Sequence, residues 1–168
     1  PGSTAPLPPV QPSAATIDTT ACYQSVASIP HDVDLAVICV PAPQVSAVVD
    51  DCIAKRVRAM VIISAGFAET GAAGRDLEAS IVTRIREAGI RLVGPNCMGV
   101  LNTDPAVRLN ATFSPVYPPA GNVAMSTQSG ALGLAVLDYA SRLGIGLSTF
   151  VSVGNKADVS SNDLIQYW

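Results

Sequence analysis

The stretch Ser126-Thr127-Gln128-Ser129-Gly130-Ala131-Leu132 carries the sharpest chemical signal in the sequence. Ser129 can cap a helix, and Gly130 and Ala131 then leave the first N–H groups unobstructed at the positive end of its dipole. That arrangement suits a phosphate or another anion. An ordinary N-cap uses the same residues, so the motif by itself leaves both readings open. Val153-Gly154-Asn155-Lys156-Ala157-Asp158 can set an amide, an ammonium and a carboxylate beside the anion, or form a solvated surface loop. Three more turns have unusual composition. In Val40-Pro41-Ala42-Pro43 the prolines remove backbone donors and fix φ, giving either a stiff apolar ledge for a flat ligand group or a helix start. Ile63-Ser64-Ala65-Gly66, followed by Phe67-Ala68-Glu69-Thr70-Gly71, has side chains small enough for a ligand to approach the main chain, which turn chemistry explains equally well. Gly94-Pro95-Asn96-Cys97-Met98-Gly99 is a tight turn bearing an amide and a thiol. No histidine lies near Cys97 in sequence to generate a thiolate, which counts against a nucleophile there.

The elements that must position these turns alternate between short β-branched runs and longer helical periods from Ala21 onward, the pattern of parallel βαβ units. Strands are expected at Asp34 to Val40, Ala59 to Ile63 and Ile90 to Val93. The first is continuously apolar after Asp34 and is expected to be covered on both faces. Val45, Val48, Val49, Cys52 and Ile53 form the stripe of an intervening helix, with Asp50, Asp51, Lys55 and Arg56 left to water. Leu77, Ile81, Ile85 and Ala88 mark a second helix, from about Gly74 to Ala88, stopped by Gly89. Between Gly94 and Ala120 the periodicity fades and prolines accumulate, which reads as an interdomain crossing. A second unit follows: a strand over Asn122 to Ser126, a helix from Ser129 to Leu143 apolar nearly all round, a strand from Leu147 to Val153, and a helix from Asn162 to Trp168. Each chemical turn thus sits directly after a strand. In a parallel sheet that is the edge where ligands bind.

Composition narrows the function. Of 168 residues, 49% are hydrophobic and 14% charged, with ten Lys plus Arg against thirteen Asp plus Glu. Such a chain buries a substantial core and offers no basic face for nucleic acid. Its apolar runs are shorter than the roughly 20 residues a membrane helix requires, so no membrane partner is expected. The cysteines, Cys22, Cys39, Cys52 and Cys97, form no CxxC pair and only His31 could join them, so no metal site is expected and a reduced, cytoplasmic setting is. His31 precedes the first strand, at the end opposite to the ligand edge. No GxGxxG fingerprint supports a nicotinamide cofactor. Five of the thirteen prolines fall within the first twelve residues, which reads as an extended leader.

In order and spacing, Val40-Pro41-Ala42-Pro43, Ile63-Ser64-Ala65-Gly66-Phe67, Gly94-Pro95-Asn96-Cys97, Leu109-Asn110-Ala111-Thr112-Phe113, Gln128-Ser129-Gly130-Ala131-Leu132 and Val153-Gly154-Asn155-Lys156-Ala157-Asp158 resemble the motifs of the NDP-forming acyl-CoA synthetases. That family includes ADP-forming acetyl-CoA synthetase and the succinyl-CoA synthetase α subunit. The resemblance runs from about Val10 to Trp168. It implies an α/β fold: a Rossmann-like parallel-sheet CoA-binding domain followed by the beginning of a flavodoxin-like domain. The corresponding division is a leader over 1–20, the CoA-binding domain over 21–104, a crossing over 105–120 and the second unit over 121–168.

By the same resemblance Val40, Pro41, Ala42, Pro43, Ser64, Ala65, Gly66, Asn96 and Cys97 hold CoA. Gln128, Ser129, Gly130 and Ala131 steady a phosphate, and Gly154, Asn155 and Lys156 form the substrate-side loop. The implied reaction interconverts acyl-CoA, NDP and phosphate with carboxylic acid, CoA and NTP through a phosphohistidine. CoA or acyl-CoA is the implied ligand, an ATP-grasp subunit or domain the implied partner, and an oligomer the implied assembly. ATP, ADP and Mg belong to the complete enzyme and not to this chain. Two departures accompany the match. The family's first strand and glycine-rich loop are absent apart from an echo in Pro1-Gly2-Ser3, so another segment or chain is expected to fill the sheet. The phosphohistidine is expected beyond Trp168 and is not His31, leaving this chain inactive alone. A regulatory ligase-like module of a protein-lysine acetyltransferase is the alternative, in which a missing phosphohistidine is natural.

Overall fold

The computed structural model describes residues 6–168. The echo of the glycine-rich loop in Pro1-Gly2-Ser3 lies outside them. In the leader, β1 (Thr16–Ile17) and β2 (Thr20–Ala21) form a small antiparallel hairpin, and Val10 makes a single parallel bridge to Tyr23. Regular pairing therefore begins slightly before Ala21.

The first sheet consists of β3 (Leu35–Ile38), β4 (Ala59–Ile62) and β5 (Arg91–Val93), parallel and in that order. Two helices cross between them, α1 (Ala42–Ala54) and α2 (Ala72–Glu87). The apolar stripe of α1 dictates which face it buries: Val45, Val49 and Cys52 are fully enclosed against Met60, Ile62 and Leu92 of the first core. On α2 the buried side is Ile81, Val82 and Ile85, whereas Ala88 is exposed, one position beyond the last residue of the helix. Fully burying each large aliphatic side chain contributes about 1.5–3 kcal/mol, so this cluster is the main source of cohesion for the unit.

The first strand departs from expectation on one count. Asp34 and Ile38 carbonyls accept from Ala59 and Ile63 N–H at 3.0 and 2.9 Å, so the even-numbered residues of β3 face β4. The N–H and C=O groups of Leu35, Val37 and Cys39 then point to the outer edge, because both groups of one residue share a side of the strand. Val37 is 40% exposed and Cys39 is exposed, so β3 is not covered on both faces. Beside this edge runs a groove of about 670 Å³, bounded by Pro8 to Pro12 across from Leu35 to Pro41 and floored by Val48 and Cys52.

The second sheet has the order β7-β6-β9-β8. Its strands are β6 (Gly99–Asn102), β7 (Leu109–Thr112), β8 (Ala120–Thr127) and β9 (Leu147–Ser152). β8 and β9 are parallel, joined through α3 (Gly130–Arg142), while β6 runs antiparallel to both β7 and β9. Residues 99–112 thus contribute β6 and β7 to the second sheet. Met98, Leu101, Leu137, Leu147 and Phe150 form the second core. Gly133 is essential to it, since a Cβ there would stand 2.8 Å from the Phe150 ring and 2.9 Å from the Thr127 methyl. The outer side of α3 leaves Leu132, Tyr139 and Leu143 exposed. α4 (Ser161–Tyr167) closes the chain, with a reciprocal capping box between Ser160 and Asp163. Among the described residues no helix is long and apolar enough to cross a membrane.

Candidate functional site

The carboxyl ends of β3, β4 and β5 lie on one rim because the three strands are parallel and in register. The turn after each strand is tied to the next. Ser64 Oγ donates to the Val40 carbonyl at 2.5 Å, joining the turn after β4 to the turn after β3. Asn96 N–H donates to the Ser64 carbonyl at 2.9 Å, adding the turn after β5. The second sheet delivers its own carboxyl ends to the same place: Val153 N–H donates to the Thr127 carbonyl at 2.8 Å, and Asn155 N–H to the Pro95 carbonyl at 2.9 Å. Met98 N–H completes the seam by donating to Ser152 Oγ at 3.0 Å. All five chemically unusual turns therefore form one hydrogen-bonded row.

Within that row, Val40-Pro41-Ala42-Pro43 starts a helix, the second of its two readings. Pro41 is the N-cap of α1 and Pro43 sits in its first turn, yet Pro41 and Pro43 remain exposed as an apolar step on the rim. Ala65 and Asn96 are exposed, and Ser64 and Gly66 half-buried. The small size of Gly66 is taken up by the protein itself: at φ +108° a Cβ would stand 2.8 Å from the Ala42 Cβ, so glycine here lets the first two turns touch. Gly154 has the same use between the sheets. Its φ is +53°, and a Cβ would lie 2.2 Å from the Pro95 carbonyl oxygen and 2.5 Å from that of Asn96.

Cys97 is 5% exposed, and its thiol donates to the Ile62 carbonyl at 3.3 Å. Burial in apolar surroundings pushes this thiol up to about 11, the wrong direction for a nucleophile. The thiol is thus withdrawn from the rim. His31 is exposed, on the loop before β3, away from the rim.

Ser129 caps α3 as its spacing predicts, with Oγ accepting from Leu132 N–H at 3.3 Å. Gln128, Ser129 and Ala131 are exposed. A Cβ placed on Gly130 would stand 3.5 Å from the Met98 side chain and 3.8 Å from the Phe113 ring, so there is room around it. This helix start therefore lies beside Met98, the residue that follows the Asn96-Cys97 turn. Ser126 Oγ, at the end of β8, lies 3.0 Å from Ser161 Oγ at the start of α4.

The loop after β9 splits its three polar groups. Lys156 is exposed and free of any ion pair among the described residues. Asn155 turns back to the first unit, where its Nδ2 donates to Glu69 Oε2 at 2.6 Å and Glu78 Oε2 at 2.8 Å. Asp158, expected beside the anion, points elsewhere. Its side chain, 5% exposed, accepts from Arg86 Nε at 3.0 Å, Arg91 Nε at 2.8 Å and the Leu92 N–H at 2.9 Å. Burial raises the pKa of this carboxyl, but the bonds from Arg91, Leu92 and Arg86 together hold it below the usual range. It is a latch between the two units.

Glu69 and Glu78 join this arrangement without any signal in the local sequence. Desolvation pushes the Glu69 carboxyl up, yet donors from Asn155, Gly66 and Phe67 outweigh it and bring it down to about 2. Among the described residues no group of three His, Cys, Asp or Glu side chains is placed to hold a metal ion.

Comparison with known proteins agrees with this layout. The family described as a CoA binding domain matches residues 3–103, and the succinyl-CoA ligase like flavodoxin domain matches 120–168. The acetate–CoA ligase [ADP-forming] I of Archaeoglobus fulgidus is 48% identical over 146 residues, 87% of this chain and 21% of its own length. An ADP-forming acetate–CoA ligase of Methanocaldococcus jannaschii is 45% identical over 160 residues, 95% of this chain and 22% of its own. The solved structure of the dinucleotide-forming acetyl-coenzyme A synthetase 1 of Ca. Korarchaeum cryptofilum, in complex with phosphate and ADP, superposes with a TM-score of 0.88 at 45% identity, covering 95% of this chain and 33% of that one. The chain thus spans about a fifth of the length of these two curated relatives. A row of proline-stiffened and glycine-bearing turns on a parallel sheet, continued into a second flavodoxin-like sheet, is accounted for by descent: the chain belongs to the CoA binding domain family.

Proposed function

We propose that this chain is the CoA-binding part of an NDP-forming acid–CoA ligase, with the ligand lying along the row of turns. CoA runs over Val40, Pro41, Ala42 and Pro43, across Ser64, Ala65 and Gly66, to Asn96 and the main chain of Cys97. Gln128, Ser129, Gly130 and Ala131 receive a phosphate at the α3 N-terminus, where free N–H groups and the dipole favour negative charge. Gly154, Asn155 and Lys156 line the acyl side, and Lys156 supplies a cation at the rim. What carries this reading is the unbroken hydrogen-bond path from Val40 through Ser64 and Asn96 to Asn155, which makes separate loops into one surface.

In the complete enzyme, stabilisation of the transferring phosphoryl group rests on positioning and charge, to which this chain adds a helix N-terminus and Lys156. The phosphohistidine, ATP or ADP, Mg and the ATP-grasp partner belong to that larger assembly, an oligomer working in the cytoplasm. The chain by itself binds CoA without turnover. The open edge of β3 takes a further strand, from another segment or chain, which pairs with Leu35, Val37 and Cys39. No observation favours the acetyltransferase-associated alternative.

Calorimetric titration of CoA into the chain tests the reading. Ser64→Ala removes the tie between the first two turns, and Pro41→Ala softens the ledge. Loss of one neutral hydrogen bond is worth about 0.5–1.5 kcal/mol, so CoA should bind about 2- to 12-fold more weakly to the Ser64 variant. Equal affinity in wild type and both variants would contradict the placement.

A further inference from the structure

We propose that Glu69 is a positioning residue through which Asn155 of the second unit sets the shape of the CoA-facing turn in the first. The proposal rests on the CoA placement above and adds to it a residue and a coupling between the units.

Glu69 stands on a single 3₁₀ turn, Ala68–Thr70, directly after the Ser64-Ala65-Gly66 turn. Its carboxylate uses both oxygens. Oε1 accepts from Gly66 N–H at 2.6 Å and Phe67 N–H at 3.1 Å; Oε2 accepts from Asn155 Nδ2 at 2.6 Å. Phe67, fully buried, pins the far end of the turn in the first core. The near end therefore takes its conformation from the carboxylate.

Asn155 is itself fixed. Its N–H donates to the Pro95 carbonyl, and its Oδ1 accepts from Asn96 Nδ2 at 3.3 Å. The two protons on Nδ2 go to two different carboxylates, Glu69 and Glu78, and Glu78 Oε2 also accepts from Ala68 N–H at 3.3 Å. One neutral amide thus holds two anionic groups together, and each of those groups grips backbone N–H donors of residues 66–68. Among the described residues no lysine or arginine forms an ion pair with either glutamate. If Asn155 withdraws, two carboxylates face each other with nothing between them, and the turn they hold must open. Displacement of the Gly154 to Lys156 loop is in this way converted into a change at the CoA-facing main chain.

Donor and acceptor inventory makes the coupling testable. Glu69→Gln keeps the shape, but a glutamine has one acceptor oxygen where two are in use, so either rotamer loses the backbone side or the Asn155 side. Asn155→Asp puts three carboxylates together. In the triple variant Glu69→Gln/Glu78→Gln/Asn155→Asp both new amides can donate to the new carboxylate while the oxygen remaining at position 69 accepts from Gly66 and Phe67 N–H, so the Glu69 side is restored and only the 3.3 Å bond from Ala68 N–H to residue 78 is given up.

CoA affinity is to be read by calorimetry for wild type, Glu69→Gln, Asn155→Asp and the triple variant. About tenfold weakening in each single variant is expected, with recovery in the triple to within about threefold of wild type. Absence of CoA binding by wild type defeats the placement of CoA, whatever the variants do. Wild-type binding that the single variants leave unchanged, or single-variant losses that the triple does not recover, defeats the role of Glu69 alone. Backbone amide resonances of Gly66 and Phe67 give a readout independent of ligand: they should move in Asn155→Ala, and unmoved resonances overturn the coupling.

Discussion

Asp158 offers the sharpest test of how the two sheets are joined. Replacement by asparagine keeps the volume and removes the charge. One oxygen remains to accept from both Arg91 and Leu92, but the new NH2 group faces the Arg86 guanidinium, so that charge-assisted bond is lost and the one from Arg91 weakened. Breaking a fully buried ion pair costs about 3–5 kcal/mol, because the surviving charge is stranded. Here the arginine side chains are 57% and 56% exposed and stay hydrated, so solvent screening lowers the expected loss to about 2 kcal/mol. For a chain of this size that corresponds to a fall in Tm of about 4–8 °C. The pH dependence has a definite sign. The carboxyl is depressed in the folded state, so its contribution is complete above the unfolded-state value of about 3.9 and is lost as pH falls through the lower folded value. Thermal unfolding followed by circular dichroism should show the full gap between wild type and Asp158→Asn at pH 7, and a narrower gap at pH 3. A gap below about 1 °C at pH 7, or one equally wide at both pH values, would refute the latch.

Two further outcomes are expected. Burial raises the Cys39 thiol as well, but Cys39 is exposed, so thiol labelling under native conditions should modify it ahead of Cys52 and Cys97, both buried with pKa values pushed up to about 11; labelling of Cys97 before Cys39 would contradict its seat against the Ile62 carbonyl. In hydrogen exchange, Ala36 and Ile38 amides, which face β4, should be protected while Leu35, Val37 and Cys39 exchange freely, and the latter set should become protected when a strand is added at that edge. Protection of the odd-numbered set in the isolated chain would show the edge to be already covered.

Much of the scaffold is legible in the sequence because its signals are local. Runs of β-branched residues and the Val45, Val49, Cys52 stripe locate β3, α1, β4, α2 and β5 to within a few residues. The strands at 99–102 and 109–112 give no such signal, since they carry Asn102 and Asn110, and the first of them, the only partner of the second among the described residues, pairs antiparallel with a strand about fifty residues on. The rim turns are visible through proline and glycine spacing. Their polar wiring is not: Asn155 meets Glu69 and Glu78 across 86 and 77 residues, and Asp158 finds Arg86 and Arg91 across 72 and 67. A carboxylate read from spacing alone has no direction, which is why Asp158 looks like a ligand-side group and Glu69 like a turn residue. Likewise, the wholly apolar β3 reads as a covered strand, and only its position at the sheet edge shows that Val37 and Cys39 face outward.

Mapping amide chemical-shift changes as CoA is added to the isotope-labelled chain bears most directly on the whole account. Shifts should concentrate at Ala42 and Gln44, at Ser64 to Gly66, and at Asn96 and Cys97, extending with phosphate-bearing ligands to Ser129 through Ala131. Shifts confined to the exposed outer side of α3 or to α4, with the rim amides silent, would contradict it.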